Sequence, residues 1–269
     1  MQIYQSIILG IVQGLTELLP ISSSAHLFLL PWALNWQVPE AFDVALHFGT
    51  LLAIGIFFFK DWIELIKGAY KNLIKKEKTF EGKMFLYIVI ATIPGGIIGF
   101  ILDKYAEHLL TKPVIIAIAL IVMGIILYLV DKKAKNNTDY KNLNFKQTFI
   151  VGVSQALAFI PGVSRSGITM TTGRALGVKR EAVAKYSFML SAPIVLGATI
   201  FKVPDFIEYF KIANTNGIIA FILGVFTSFA VGIFVIKFLL SFLKKGSFKI
   251  FAIYRIILGL SVLAFFFTK

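Results

Sequence analysis

Six long apolar runs, at about 43–59, 84–102, 113–130, 182–201, 217–236 and 249–267, set the solvent this chain is built for. A hydrocarbon core about 30 Å thick takes roughly 20 residues to cross at a rise of 1.5 Å each, and each run approaches that length. Inside such a core every backbone N–H and C=O must be satisfied within the protein, which leaves helices or closed barrels. Long runs without polar alternation favour helices. Composition agrees, with 58% hydrophobic and 15% charged residues, where an ordinary soluble domain carries about 25% charged. No linker or low-complexity tract divides the chain, so the expectation is one all-α polytopic integral membrane domain over residues 1–269 with six transmembrane helices. The start, "MQIYQSIILGIVQGL", lacks the basic stretch of a removable signal peptide and is expected to stay with the protein. The absence of cysteine excludes disulfides and cysteine metal sites.

The formal net charge of +13 raises the question of nucleic acid, and its distribution answers it. Twenty basic residues fall on one side of the expected spans: seven follow the first run, five follow the third, four precede the fourth and four lie between the fifth and sixth. Only Lys104, Lys112, Lys202, Lys211 and Lys269 fall on the other side, and the first 59 residues contain no Lys or Arg. That is the positive-inside pattern, and it points both termini outward. Basic clusters interleaved with aromatic stacking platforms, which single-stranded nucleic acid would need, are missing, so no nucleic-acid partner is expected.

Two further apolar segments, 2–34 and 147–175, are each broken near the middle, by "LPISSSAH" at 19–26 and "IPGVSRSG" at 160–167. Each half is too short to span, and two halves joined by a polar tip make a re-entrant hairpin, tolerated at membrane depth only where it is buried in protein or lines a wet cavity. The segments match each other at a constant offset of 142: Gly10 with Gly152, Gln13 with Gln155, Leu15 with Leu157, Ser22 with Ser164 and Ser24 with Ser166. Three spans follow each hairpin, an odd number, so the second copy is expected upside down relative to the first. This gives an inverted-topology repeat, with repeat 1 at about 1–131 and repeat 2 at about 146–269.

Each tip offers hydroxyls, freed backbone donors and the N-terminus of a following half-helix, a combination that attracts anions and phosphate in particular. Arg165 adds a permanent cation whose planar fork suits phosphate oxygens. Ser22, Ser23, Ser24 and His26 belong to the first tip, Ser164 and Ser166 to the second, and Gln13 and Glu17 stand one turn apart on the half-helix entering the first. An intramembrane charge such as Arg165 or Glu17 is costly and is a functional candidate by default. Ser23 could attack phosphorus once a neighbour takes its proton, and His26, three residues on, is placed to accept it; general acid, general base and nucleophile all stay open for His26. Glu17 could position Mg²⁺ or Ca²⁺ with Gln13 as a neutral oxygen ligand, or act on a proton. His47 reads as a core histidine. Arg255, near the end of the last span, reads as snorkelling to lipid headgroups, with a structural network as the other reading.

The stretches "QGLTELLPISSSAH", "PGVSRSG", "DVALHFGTLLA" at 43–53 and "YRIILG" at 254–259 resemble the bacterial undecaprenyl-diphosphatase family, known for bacitracin resistance, over nearly the whole length. The resemblance implies one active site that opens toward the outer face of the bacterial plasma membrane. There it would remove the terminal phosphate of a C55 lipid diphosphate and recycle the carrier for cell-wall precursors. It implies that Glu17, Ser23, His26 and Arg165 are catalytic and that Gln13, Ser22, Ser24, Ser164 and Ser166 join Arg165 in binding the substrate. Glu17 and Gln13 would hold a divalent cation. Many members have Glu where this chain has Gln13, so a two-carboxylate metal site does not carry over. Membrane lipids are the expected surroundings, and a homodimer is an open option. A lipid-phosphate flippase or secondary transporter is the alternative, because paired re-entrant hairpins in inverted repeats are also a transporter plan.

Overall fold

The computed structural model describes residues 1–105 and 112–268; His108, expected in an outer loop, lies outside them. The described residues form an all-α membrane protein in which six helices are long and apolar enough to cross a bilayer. In chain order the helices are α1 (Ile3–Thr16), α2 (Ser23–Leu34), α3 (Glu40–Phe57), α4 (Phe59–Ile74), α5 (Phe80–Tyr105) and α6 (Pro113–Lys133). Then follow α7 (Phe145–Ser154), α8 (Arg165–Ala175), α9 (Arg180–Phe201), α10 (Val203–Ile212), α11 (Thr215–Leu243) and α12 (Lys249–Thr268). A 3₁₀ turn, Gln155–Phe159, extends α7. The spans are α3, α5, α6, α9, α11 and α12, in the places that hydrophobic length marks out.

Local chemistry sets several boundaries. Pro113 sits at the start of α6, where its missing N–H costs nothing, and Lys132 and Lys133 in the last turn face the negative end of that helix's dipole. Asn144 and Asn214 cap α7 and α11 by accepting from Gln147 N and Gly217 N. Two further helices follow the first and fourth apolar runs. Residues 59–74 and 203–212 are helices, α4 and α10, whose mixture of charges and apolar residues is amphipathic. α4 buries Leu65, Gly68 and Ala69 and packs along α5, while Asp61 pairs with Lys185 of α9 at 2.5 Å.

The order of elements occurs twice: two short helices joined by a tip, a span, an amphipathic helix and two spans. The halves exchange partners. α1 packs on α11 and α7 on α5, while α6 and α12 pack on each other. Glycine makes the first two contacts close: a Cβ added at Gly10 would lie 2.6 Å from the Gly224 carbonyl oxygen, and one at Gly152 would collide with the backbone of Ala91. Small residues that let backbones touch are how helices associate in lipid, where the hydrophobic effect gives little drive. The Gly10 and Gly152 match is thus a packing match.

At the basic end, Asp131 of α6 accepts from Arg174 Nε (2.8 Å), Arg180 Nε (2.8 Å) and the backbone of Phe248 (3.1 Å). Arg174 is fully buried and also donates to Asn136 Oδ1 at 2.7 Å and to the Ala134 and Lys135 carbonyls. This knot ties α6, α8 and α9 to the residue preceding α12.

Candidate active site

Both tips end in the same local device. Ser22 and Ser164 precede α2 and α8 with φ of 76° and 73°, a backbone region that non-glycine residues rarely enter. Each side chain accepts from the amide three residues on, Ala25 N at 3.3 Å and Gly167 N at 3.0 Å, and each Oγ lies 3.2 Å from that of the serine two positions later. Strain of this kind persists where surrounding contacts over-determine it. Here the contacts join the tips. Ser166 Oγ donates to the Leu19 carbonyl at 2.9 Å. Arg255 of α12 donates to Pro20 O at 3.1 Å, to Gly162 O at 2.7 Å and to Val163 O at 2.9 Å. Arg255 is fully buried, so it does not reach lipid headgroups; the network reading is the one the structure supports. Among the described residues no carboxylate pairs with it, and its charge is met by carbonyl dipoles at the two chain breaks.

Glu17, the residue after α1, is 7% exposed and sits where the tips meet. Its Oε1 pairs with Arg165 Nη2. Its Oε2 accepts from Ser23 Oγ at 2.5 Å and from Gln13 Nε2 at 3.2 Å. Arg165 Nη1 donates to the Ser191 carbonyl at 3.0 Å, which holds the fork against α9. His47 Nε2 lies 3.4 Å from Glu17 Oε2, so His47 belongs to this cluster rather than to a core. Its signal in the sequence was the resemblance of "DVALHFGTLLA", since nothing in its own helix points to Glu17.

His26 is placed differently from Ser23. Its Nδ1 is 2.7 Å from the Ser22 carbonyl oxygen and its Nε2 is 2.7 Å from the Tyr254 hydroxyl. The carboxylate of Glu17, not the imidazole of His26, is therefore the acceptor that holds the Ser23 hydroxyl. Ser24 is exposed beside them. Tyr254 escaped the sequence reading because a tyrosine near the end of an apolar span reads as an interface anchor.

Hard cations take oxygen ligands. Gln13 Oε1 is buried without a hydrogen-bond partner, beside a carboxylate, so an oxygen is free there for a cation. Among the described residues no three His, Asp or Glu side chains gather as a metal cluster, and Gln13 Oε1 and Glu17 are the oxygens that would hold a cation at this site.

Fold and site together define an all-α polytopic membrane protein with a charged, hydroxyl-rich centre where two broken helices meet. The model of a family described as bacitracin resistance protein BacA matches residues 6–261. The chain belongs to that family. It is similar to the undecaprenyl-diphosphatase of Pelotomaculum thermopropionicum, 47% identical over 264 residues that cover 98% of this chain and 96% of the relative. That of Caldicellulosiruptor bescii is 47% identical over 271 residues, covering 100% and 99%, and that of Desulforudis audaxviator 44% over 261, covering 97% and 96%.

Proposed function

We propose that the protein hydrolyses undecaprenyl diphosphate to undecaprenyl phosphate and inorganic phosphate, and so renews the lipid carrier for cell-wall synthesis. The observation that carries this reading is one carboxylate gripping a serine hydroxyl with one oxygen and a guanidinium with the other. The relatives' printed activity supports it. The terminal phosphoryl group is held by Arg165, by the serines of both tips and by the first-turn amides of α2 and α8. Ser23 Oγ attacks the terminal phosphorus and its proton passes to Glu17 Oε2. The bridging P–O bond breaks, the lipid phosphate leaves with the electron pair, and Glu17 gives up the proton toward it. Water then attacks the phosphoserine, Glu17 takes the proton of that water and returns it to Ser23, and inorganic phosphate departs. Phosphoryl transfer asks the protein mainly for positioning and charge neutralisation, which Arg165 supplies.

A divalent cation, Mg²⁺ or Ca²⁺, would sit on Gln13 Oε1 and Glu17 and would neutralise charge on the diphosphate. We read the two hairpins as re-entrant, the halves 1–131 and 146–269 as inverted repeats, and the site as opening to the outer face. The knot of Asp131, Arg174 and Arg180 ties helices together at the end that carries the basic residues, which supports an opening at the other. Purified protein in detergent, given undecaprenyl diphosphate, is expected to release one phosphate per lipid and leave the monophosphate. Folded protein that releases none would overturn the reading in favour of lipid movement across the membrane.

A further inference from the structure

We propose that Tyr254 is a positioning residue for the reaction, acting through His26. The inference rests on the reading of the site as a lipid diphosphatase. Its basis is a hydrogen-bond assignment with one solution for the neutral ring. A backbone carbonyl only accepts, so the 2.7 Å contact between His26 Nδ1 and the Ser22 carbonyl places a proton on Nδ1. In the neutral imidazole Nε2 then carries the lone pair, and the Tyr254 hydroxyl, 2.7 Å away, donates to it. The two rings lie within 6° of parallel with centroids 5.7 Å apart. Both ring nitrogens of His26 are spoken for, one by the first tip and one by α12.

Three features separate this contact from ordinary packing. Tyr254 is 42% exposed, yet its hydroxyl is engaged by the imidazole of His26. It immediately precedes Arg255, whose guanidinium joins the Pro20 carbonyl of the first tip to the Gly162 and Val163 carbonyls of the second. Two adjacent residues of one helix thus grip the same tip, one through backbone and one through an imidazole. Finally, α2, α6 and α12 share one apolar cluster that holds Ala25, Leu29 and Val262, and the Tyr254–His26 contact adds a polar link between α2 and α12. With the phenol in place, His26 is held with its ring plane fixed and its Nε2 occupied, which leaves the attack on phosphorus to Ser23.

The test is a double-mutant cycle in purified protein with undecaprenyl diphosphate. Tyr254→Phe keeps the ring and removes the donor. It is expected to lower kcat about tenfold, the rate equivalent of one ordinary hydrogen bond, with KM within about twofold. In a His26→Gln background the same change is expected to alter kcat by less than about twofold, because the partner is already gone. Thermal unfolding of Tyr254→Phe should match that of the wild type. A Tyr254→Phe variant with full kcat would overturn the proposal, as would losses that multiply in the double variant. Should His26→Gln turn over too slowly to measure, the single variant decides: a KM that rises with unchanged kcat means Tyr254 only shapes the substrate path. A wild type that releases no phosphate defeats the functional reading instead, a result separable from any of these.

Discussion

At Arg165 the guanidinium uses one edge for Glu17 and another for the Ser191 carbonyl, so its orientation is fixed before any phosphate arrives. Lysine would keep the charge and lose the fork. Arg165→Ala and Arg165→Lys are both expected to insert and fold, with phosphate release down by at least about 100-fold, since a stabilising arginine is worth about 10³–10⁵ in enzymes that use one. Near-normal turnover in either would remove Arg165 from the charge-neutralising role. Ser23 and His26 are separated by the same logic. The hydroxyl of Ser23 points at Glu17 and the imidazole of His26 at Tyr254. Ser23→Ala is therefore expected to abolish turnover, while His26→Gln keeps a slow but measurable rate. The reverse result, an active Ser23→Ala and a dead His26→Gln, would make His26 the nucleophile.

Among the elements, α6, α8 and α9 depend on one carboxylate. Asp131 is 4% exposed and Arg174 fully buried, so truncating the acid strands a cation. Asp131→Ala is expected to cost about 3–5 kcal/mol, read as a lower unfolding midpoint in detergent, with Asp131→Asn less damaging because it keeps an acceptor. The spans were legible because hydrocarbon demands length, and the tips because proline, glycine and serine are conspicuous inside apolar sequence. The residues named from those tips do gather in space. What stayed hidden is tertiary. Three-residue spacing on α2 suggests His26 as the partner of Ser23, whereas the turn at 17–22 folds Glu17 back onto the hydroxyl. His47 reaches Glu17 from a different helix, which no local pattern encodes. α4 and α10 were missed because their lysines were read only as a charge count, although a charged and an apolar face together describe a helix lying at an interface.

For the whole molecule, the proposed orientation puts the end that carries the basic residues and the Asp131 knot toward the cytoplasm. Single cysteines replacing Asn216 and Lys141, both exposed, test this in intact cells. The first should react with an impermeant thiol reagent and the second only after the membrane is opened; the opposite pattern would turn the bundle over. Arg255 carries a different kind of consequence, one of timing. Its partner Pro20 stands 235 positions earlier, so translation delivers the two ends of that contact at nearly opposite moments. Chains are made and inserted from the N-terminus, and early segments must wait for late ones. A nascent chain halted before Lys249 already holds Glu17, Ser23, His26 and Arg165, yet it lacks the Arg255 guanidinium that donates to the Pro20, Gly162 and Val163 carbonyls of the two tips. Completion of the last helix is then the event that switches such a chain from inserted to assembled.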